Sequence, residues 1–304
     1  MKEKQTGAHL SALLTIIVWG TTFISTKVLL VDFQPIEILF FRFVIGFVVL
    51  CLVCPRLLKQ TTFQQEIVFM GAGLTGICLY YLMENIALTY TLASNVGVII
   101  SIAPFFTALL SHLFMKNEEK LTIHFYIGFG VSMIGICLLS FNGSQLQLNP
   151  LGDFLAILAA LLWACYATLT KKISSFGYST ILTTRRTFFY GLIFMIPALF
   201  IFDFQLELSR FTNYTYLMNI IFLGVLASAL CFVTWNYAVK KLGAIQTSVY
   251  IYMVPVITVL TSALILSESI TMISGIGILL TLIGLCVSEN IFHWKRGKTY
   301  GYQD

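Results

Sequence analysis

In the stretch YLMENIALTY, residues 81–90, a carboxylate, Glu84, and an amide, Asn85, interrupt sequence that is otherwise mostly apolar. An ionisable group at the centre of a membrane helix costs roughly 3 kcal/mol on insertion scales, so it has to face a bundle interior or water. A carboxylate held there has three uses. It can balance a substrate amine. It can take up and release a proton, because burial favours its neutral form. It can also pair with a base on another helix, such as Arg42 or Lys27. Trp19, Trp163, Trp235, Tyr80, Tyr81, Tyr166, Tyr250 and Tyr252 supply rings for an aromatic wall, or for anchorage at the membrane interfaces. Asn85, Asn95 and Asn236 can contact a substrate. They can equally hydrogen-bond a neighbouring helix, which is worth about 1 kcal/mol or less.

Two prolines and two arginines complete the set. Pro104 and Pro255 fall inside apolar runs, where each removes a backbone donor and clashes with the carbonyl four residues earlier. Those carbonyls belong to Ile100 and Ile251. They are free for a ligand or water if they line a cavity, and otherwise the prolines are packing kinks. Arg42 and Arg186 sit about two turns inside their segments. They can reach lipid headgroups, attract an anionic group, or act as structural or gating residues.

The elements that position these residues are membrane spans. The chain is 304 residues long, 58% hydrophobic and 10% charged, with mean hydropathy +0.90. Soluble domains carry about 25% charged residues. The apolar residues come in blocks of roughly 20, the length that crosses a ~30 Å hydrocarbon core. Ten such segments are expected, at about 8–30, 36–54, 66–89, 93–115, 122–141, 152–173, 179–202, 214–238, 244–266 and 271–292. The fold class is an all-α polytopic membrane protein. With the N-terminus cytoplasmic, Lys2, Lys4, Arg56, Lys59, Lys116, Lys120, Lys171, Lys172, Lys240, Lys241, Lys295, Arg296 and Lys298 lie inside, and only Arg210 lies in an outer loop. Both termini are therefore expected in the cytoplasm.

The two halves repeat. Trp19, Lys27 and Arg42 match Trp163, Lys171 and Arg186 at an offset of 144. Gly73, Asn85, Ala93 and Pro104 match Gly224, Asn236, Ala244 and Pro255 at 151. Glu119, Gly128 and Gly135 match Glu268, Gly277 and Gly284 at 149. Residues 1–143 and 152–292 thus read as two copies of a five-helix unit, followed by a cytoplasmic tail at 293–304. Five is odd, so the second copy enters the membrane from the opposite face and the repeats are inverted, an arrangement common in secondary transporters.

VWGTTFISTK and LWACYATLTK near the starts of the copies, ASNVGVIISIAPFFTALL and GAIQTSVYIYMVPVITVL on the fourth helices, and EEKLT and SESIT before the fifth resemble the EamA family of the drug/metabolite transporter superfamily. The resemblance covers nearly the whole chain. One departure is that the segment from Pro104 to Glu119 is two residues longer than that from Pro255 to Glu268. The first copy's loop glutamate is then Glu118 or Glu119. The resemblance implies ten helices around a central cavity, and export or exchange of a small metabolite, amino-acid-like or amphipathic, by alternating access in the cell membrane. The expected partners are the substrate and the bilayer, and the driving force is either proton antiport through Glu84 or downhill flow. Whether the chain works as a monomer or a homodimer stays open.

Other classes have less support. GAGLTG, residues 71–76, spells a dinucleotide fingerprint but lies in a span without a preceding strand, so close helix packing explains its glycines. No Walker A sequence or paired metal-ligand spacing occurs, so no cofactor or metal is expected. The +5 net charge is confined to short loops and does not point to nucleic acid. Cys51 and Cys54 form a C-x-x-C in an apolar run and read as packing residues, and the seven cysteines suggest no disulfide framework. The alternative is a membrane-embedded enzyme acting on a lipid or small amphiphile. It would need clustered acids, bases or metal ligands; Glu84 is the only deep carboxylate and His112 the only histidine that could fall in a helix core, near its cytoplasmic end, so an enzyme is not expected.

Overall fold

A computed structural model describes residues 2–58, 61–91, 93–114, 122–140, 149–202, 204–266 and 271–288. Lys59, Lys116, Glu118, Glu119, Lys120, Glu268, Lys295, Arg296 and Lys298, and with them the tail at 293–304, lie outside the described residues. Within the described residues the chain is helical, without strands. The first half comprises α1 (Lys2–Leu29), α2 (Pro35–Val53), α3 (Phe63–Ala72), a π-helical stretch Gly73–Leu79, α4 (Tyr80–Tyr90), α5 (Ala93–Ile100), α6 (Ala103–Phe114) and α7 (Ile123–Ser140). The second half comprises α8 (Pro150–Ser174), α9 (Thr180–Ile201), a 3₁₀ turn Leu208–Thr212, α10 (Tyr214–Ile221), a π-helical stretch Phe222–Leu230, α11 (Cys231–Leu242), α12 (Ala244–Ser248), a 3₁₀ turn Val249–Tyr252, α13 (Met253–Leu266) and α14 (Met272–Ser288). Among the described residues, eight helical spans are long and apolar enough to cross a membrane, and Ile123–Leu138 and Gly275–Ser288 are shorter apolar helices.

Helix starts follow local chemistry. Thr62 and Gln65 form a capping box before α3, Asn149 accepts from the amides of Leu151 and Gly152 ahead of Pro150, and Glu37 reaches back to the amide of Gln34 across Pro35. Gly243, at φ 100°, ends α11 in the left-handed region that favours glycine.

Packing repeats between the halves with the partners exchanged. α1 lies on α11 and α13, and α8 lies on α4 and α6. α2 packs against the π stretch Phe222–Leu230, and α9 against Gly73–Leu79. Both π stretches contain the matched glycines, and each glycine sits where two helices meet closely. A Cβ on Gly73 would sit 2.7 Å from the Gly191 nitrogen, and one on Gly224 would sit 2.6 Å from the Ile45 side chain. α7 and α14 pack together. Gly128 lies against the Gly284 carbonyl and Gly135 against the Gly277 carbonyl, so these two helices run antiparallel.

Candidate functional site

Between α1, α4, α8 and the α5 and α13 region lies a cavity of about 30 Å³, lined by Trp19, Thr22, Phe23, Tyr80, Tyr81, Glu84, Ile100, Trp163, Ile251 and Val254. It draws on both halves. The matched tryptophans meet there edge to face, with ring centroids 5.1 Å apart. Tyr80 packs 4.9 Å from Trp163 and 4.6 Å from Tyr81. Glu84 is 3% exposed and follows Tyr80 by one helical turn on α4.

Arg42 stands behind this wall, 2% exposed. Its Nε donates to Ser228 Oγ at 2.7 Å, one Nη donates to the Tyr81 hydroxyl at 3.3 Å, and its guanidinium carbon lies 4.2 Å from the Tyr81 ring centroid. Ser228 and the stacked ring stand in for the water that a desolvated guanidinium loses.

Each end of the bundle carries an ion pair that joins the two halves. At one end Arg210 forks onto Glu37, with Nη–Oε distances of 2.8 and 2.9 Å. Arg210 also donates to the carbonyls of Asp32 and Gln205 and lies 4.4 Å from the Phe33 ring centroid. The Glu37 carboxylate holds the Arg210 guanidinium above its ordinary range. At the other end Arg186 donates to Glu66 at 3.0 and 2.7 Å, and the hydroxyls of Tyr190 and Thr61 donate to the same carboxylate. α2 runs the length between these two ends, because Glu37 is in its first turn and Glu66 follows the connection after its last.

The EamA-like transporter family model matches this chain twice, over residues 6–141 and 150–289. The chain belongs to the EamA-like transporter family. An uncharacterized transporter of Archaeoglobus fulgidus is 27% identical over 284 residues, covering 91% of this chain and 95% of its own. The uncharacterized transporter YdfC of Bacillus subtilis is 24% identical over 289 residues, covering 94% and 92%. A crystal structure at 18% identity superimposes with a TM-score of 0.74 over 94% of this chain and 98% of its own, which shows that the fold is shared. Family and fold make this EamA-like protein a multi-pass membrane transporter.

The structure brings some of the expected residues of this EamA-like chain to one place and disperses others. Glu84, Tyr81, Trp19 and Trp163 line the cavity. Trp235 is fully buried behind it, 5.2 Å from Trp19, and its indole N–H finds no partner among the described residues. Tyr166 donates to Asn236 at 2.8 Å, and Asn236 donates to Thr184 at 2.9 Å; Asn236 lines a separate, smaller hollow with Thr170, Tyr178 and Lys240. Asn85 donates to the Pro35 carbonyl at 3.2 Å, a tie between helices outside the cavity lining. Tyr250 is hydrogen-bonded to His9 at 2.6 Å, and Tyr252 is buried against Phe129, so neither belongs to the cavity wall. Asn95 falls on α5, with its side chain outside the described residues.

Several expectations are corrected. Pro104 and Pro255 fall where the spans Val96–Phe114 and Ala244–Thr261 depart from regular α-helix. A two-residue turn separates α5 from α6 just before Pro104, and a 3₁₀ turn runs directly into α13 just before Pro255. Ile100 and Ile251, at the two breaks, do line the cavity. Arg42 reaches no headgroup because its partners are internal, and the matched Arg186 is ion-paired instead. Glu84 forms no ion pair with Arg42 or Lys27; the pairs among the described residues are Arg186–Glu66, Arg210–Glu37 and Arg210–Glu207. Lys27, in the last turn of α1, donates to the carbonyls of Leu88 and Thr91 at the end of α4, where the helix dipole favours a cation.

Sequence reasoning missed Glu37 and Glu66. Both are acids in a first helical turn behind a capping residue, which was a usable signal. Their partners in the other half left no local trace. It also missed Thr22, which shares a helix face with Trp19 at a spacing of three.

Proposed function

We propose that this protein is a cell-membrane exporter or exchanger of a small amine-bearing or amphipathic metabolite. It works by alternating access between two inverted five-helix copies with both termini in the cytoplasm. One observation carries the reading: a carboxylate-bearing aromatic cavity between the halves is flanked by an ion pair at each end, and both pairs bridge the halves. Exchange of packing partners between the copies and the antiparallel run of α7 and α14 support the inversion. The double match to the family model supports the duplication. With the Lys and Arg bias, Glu66–Arg186 faces the cytoplasm and Glu37–Arg210 faces outward.

The cavity is too small for a metabolite while both pairs hold, since about 30 Å³ admits roughly two water-sized groups. Parting the halves at one end breaks that end's pair and widens the cavity toward that side. The opposite pair then keeps the far side shut. Glu84 is the contact for the substrate amine, and its proton exchange couples the cycle when no substrate is bound.

The test needs no knowledge of the substrate. In a background with the seven native cysteines replaced, Thr22→Cys reports access to the cavity. Arg210→Gln is expected to raise its labelling by a membrane-impermeant maleimide from outside several-fold. Arg186→Gln is expected to raise labelling from inside and lower it from outside. If both changes raise labelling on the same side, or neither changes it, the alternating-access reading falls. Comparing metabolites in cells with and without the protein would then identify the cargo.

A further inference from the structure

We infer that the cargo group entering the cavity is an organic ammonium ion carrying an apolar body, and that the wall selects against a carboxylate. The inference rests on reading this cavity as the transport site. Glu84 is the one carboxylate among the described lining residues, and no arginine or lysine lines the cavity with it. Tyr80, Tyr81, Trp19 and Trp163 form a continuous run of ring contacts around it. Aromatic faces attract cations, most strongly when both are desolvated. Phe23, Ile100, Ile251 and Val254 complete an apolar surface that suits a hydrocarbon body.

The placement of Arg42 gives the selectivity. Its guanidinium is turned to Ser228 and Tyr81 and is absent from the cavity wall. A bound carboxylate would therefore lie beside Glu84, with no arginine or lysine among the lining residues to pair it directly. Like charges brought together in a desolvated space repel strongly. An ammonium head would meet the carboxylate directly, and its charge would face ring surfaces. The space beside Glu84 in this closed form admits about two heavy atoms, so the rest of the ligand enters only as the walls part.

The test is equilibrium binding to the full chain in detergent, read by tryptophan fluorescence. Four ligands share one ring and differ in charge: phenethylamine, its trimethylammonium analogue, 2-phenylethanol and phenylalanine. Both cations are expected to bind at least about tenfold tighter than the alcohol and the amino acid. Glu84→Gln is expected to remove that advantage. Equal binding of alcohol and amine, tighter binding of phenylalanine, or no binding of either cation overturns the inference, and these outcomes need no variant to fold. Flux measured separately in proteoliposomes distinguishes the two readings. Cation binding without any flux would overturn transport and leave the recognition chemistry standing. Flux of another cargo without cation binding would overturn the ammonium inference alone.

Discussion

At the scale of single residues, the two matched tryptophans have different duties. Trp19 donates its indole N–H to the Ala227 carbonyl at 2.9 Å, whereas the Trp163 N–H is buried with no partner among the described residues. Trp→Phe removes the same atoms at both positions but breaks a hydrogen bond only at Trp19, and a typical net hydrogen bond is worth about 1 kcal/mol. Trp19→Phe is therefore expected to be less stable than Trp163→Phe by about that amount, measured by thermal unfolding in detergent. Equal losses would mean that the Trp19 bond contributes nothing. Arg42→Ala should be costlier. It removes hydrogen bonds and a desolvated cation–π contact and leaves Ser228 and Tyr81 short of a partner, a loss of about 2–4 kcal/mol. A melting temperature unchanged from the parent would contradict this. These roles were only partly legible in sequence. Glu84 announced itself by its cost in an apolar run. That Arg42 would face inward, while Arg186 at the matched position would find Glu66, depended on neighbours from the other half.

At the scale of elements, the glycines of the π stretches set how closely helices approach. A methyl group on Gly73 would lie 2.8 Å from the Thr187 carbonyl oxygen and 2.7 Å from the Gly191 nitrogen. Both neighbours are backbone and cannot rotate away. Gly73→Ala should cost about 1–3 kcal/mol, the usual range for overpacking. A methyl group on Gly130, in α7, would meet nothing within 4 Å among the described residues, so Gly130→Ala should be neutral or stabilise by up to about 1 kcal/mol. Thermal unfolding of the two variants decides the matter; a harmless Gly73→Ala would show that these helices can separate at little cost. The recurrence of Gly73 as Gly224 correctly pointed to packing. The π geometry was not legible, because a local widening of the helix answers to the partner packed against it and leaves no period of its own in the sequence.

At the scale of the whole molecule, the ends of the chain report its topology. Tags at the N- and C-termini should both be protected from impermeant reagents in intact cells and both be labelled after lysis. A tag on each face would remove the inverted duplication and the alternating-access cycle that rests on it. Cross-linking Glu37→Cys to Arg210→Cys in the background without native cysteines should stop transport, while leaving Thr22→Cys open to labelling from the cytoplasmic side. Transport that survives the cross-link would make this pair a static staple.

The sequence by itself determined that the chain is a helical membrane protein, where its apolar runs fall, and that its two halves repeat. Each of those properties is local or periodic. Hydrocarbon demands about twenty apolar residues per crossing, and duplication leaves matched residues at fixed offsets. Tertiary structure decided which polar residues share a cavity, which arginine is buried and which is paired, and where the helices break before Pro104 and Pro255. Those outcomes depend on which side chain the other half brings opposite, and contacts between residues far apart in sequence, such as Glu37 with Arg210, are set only when the halves pack.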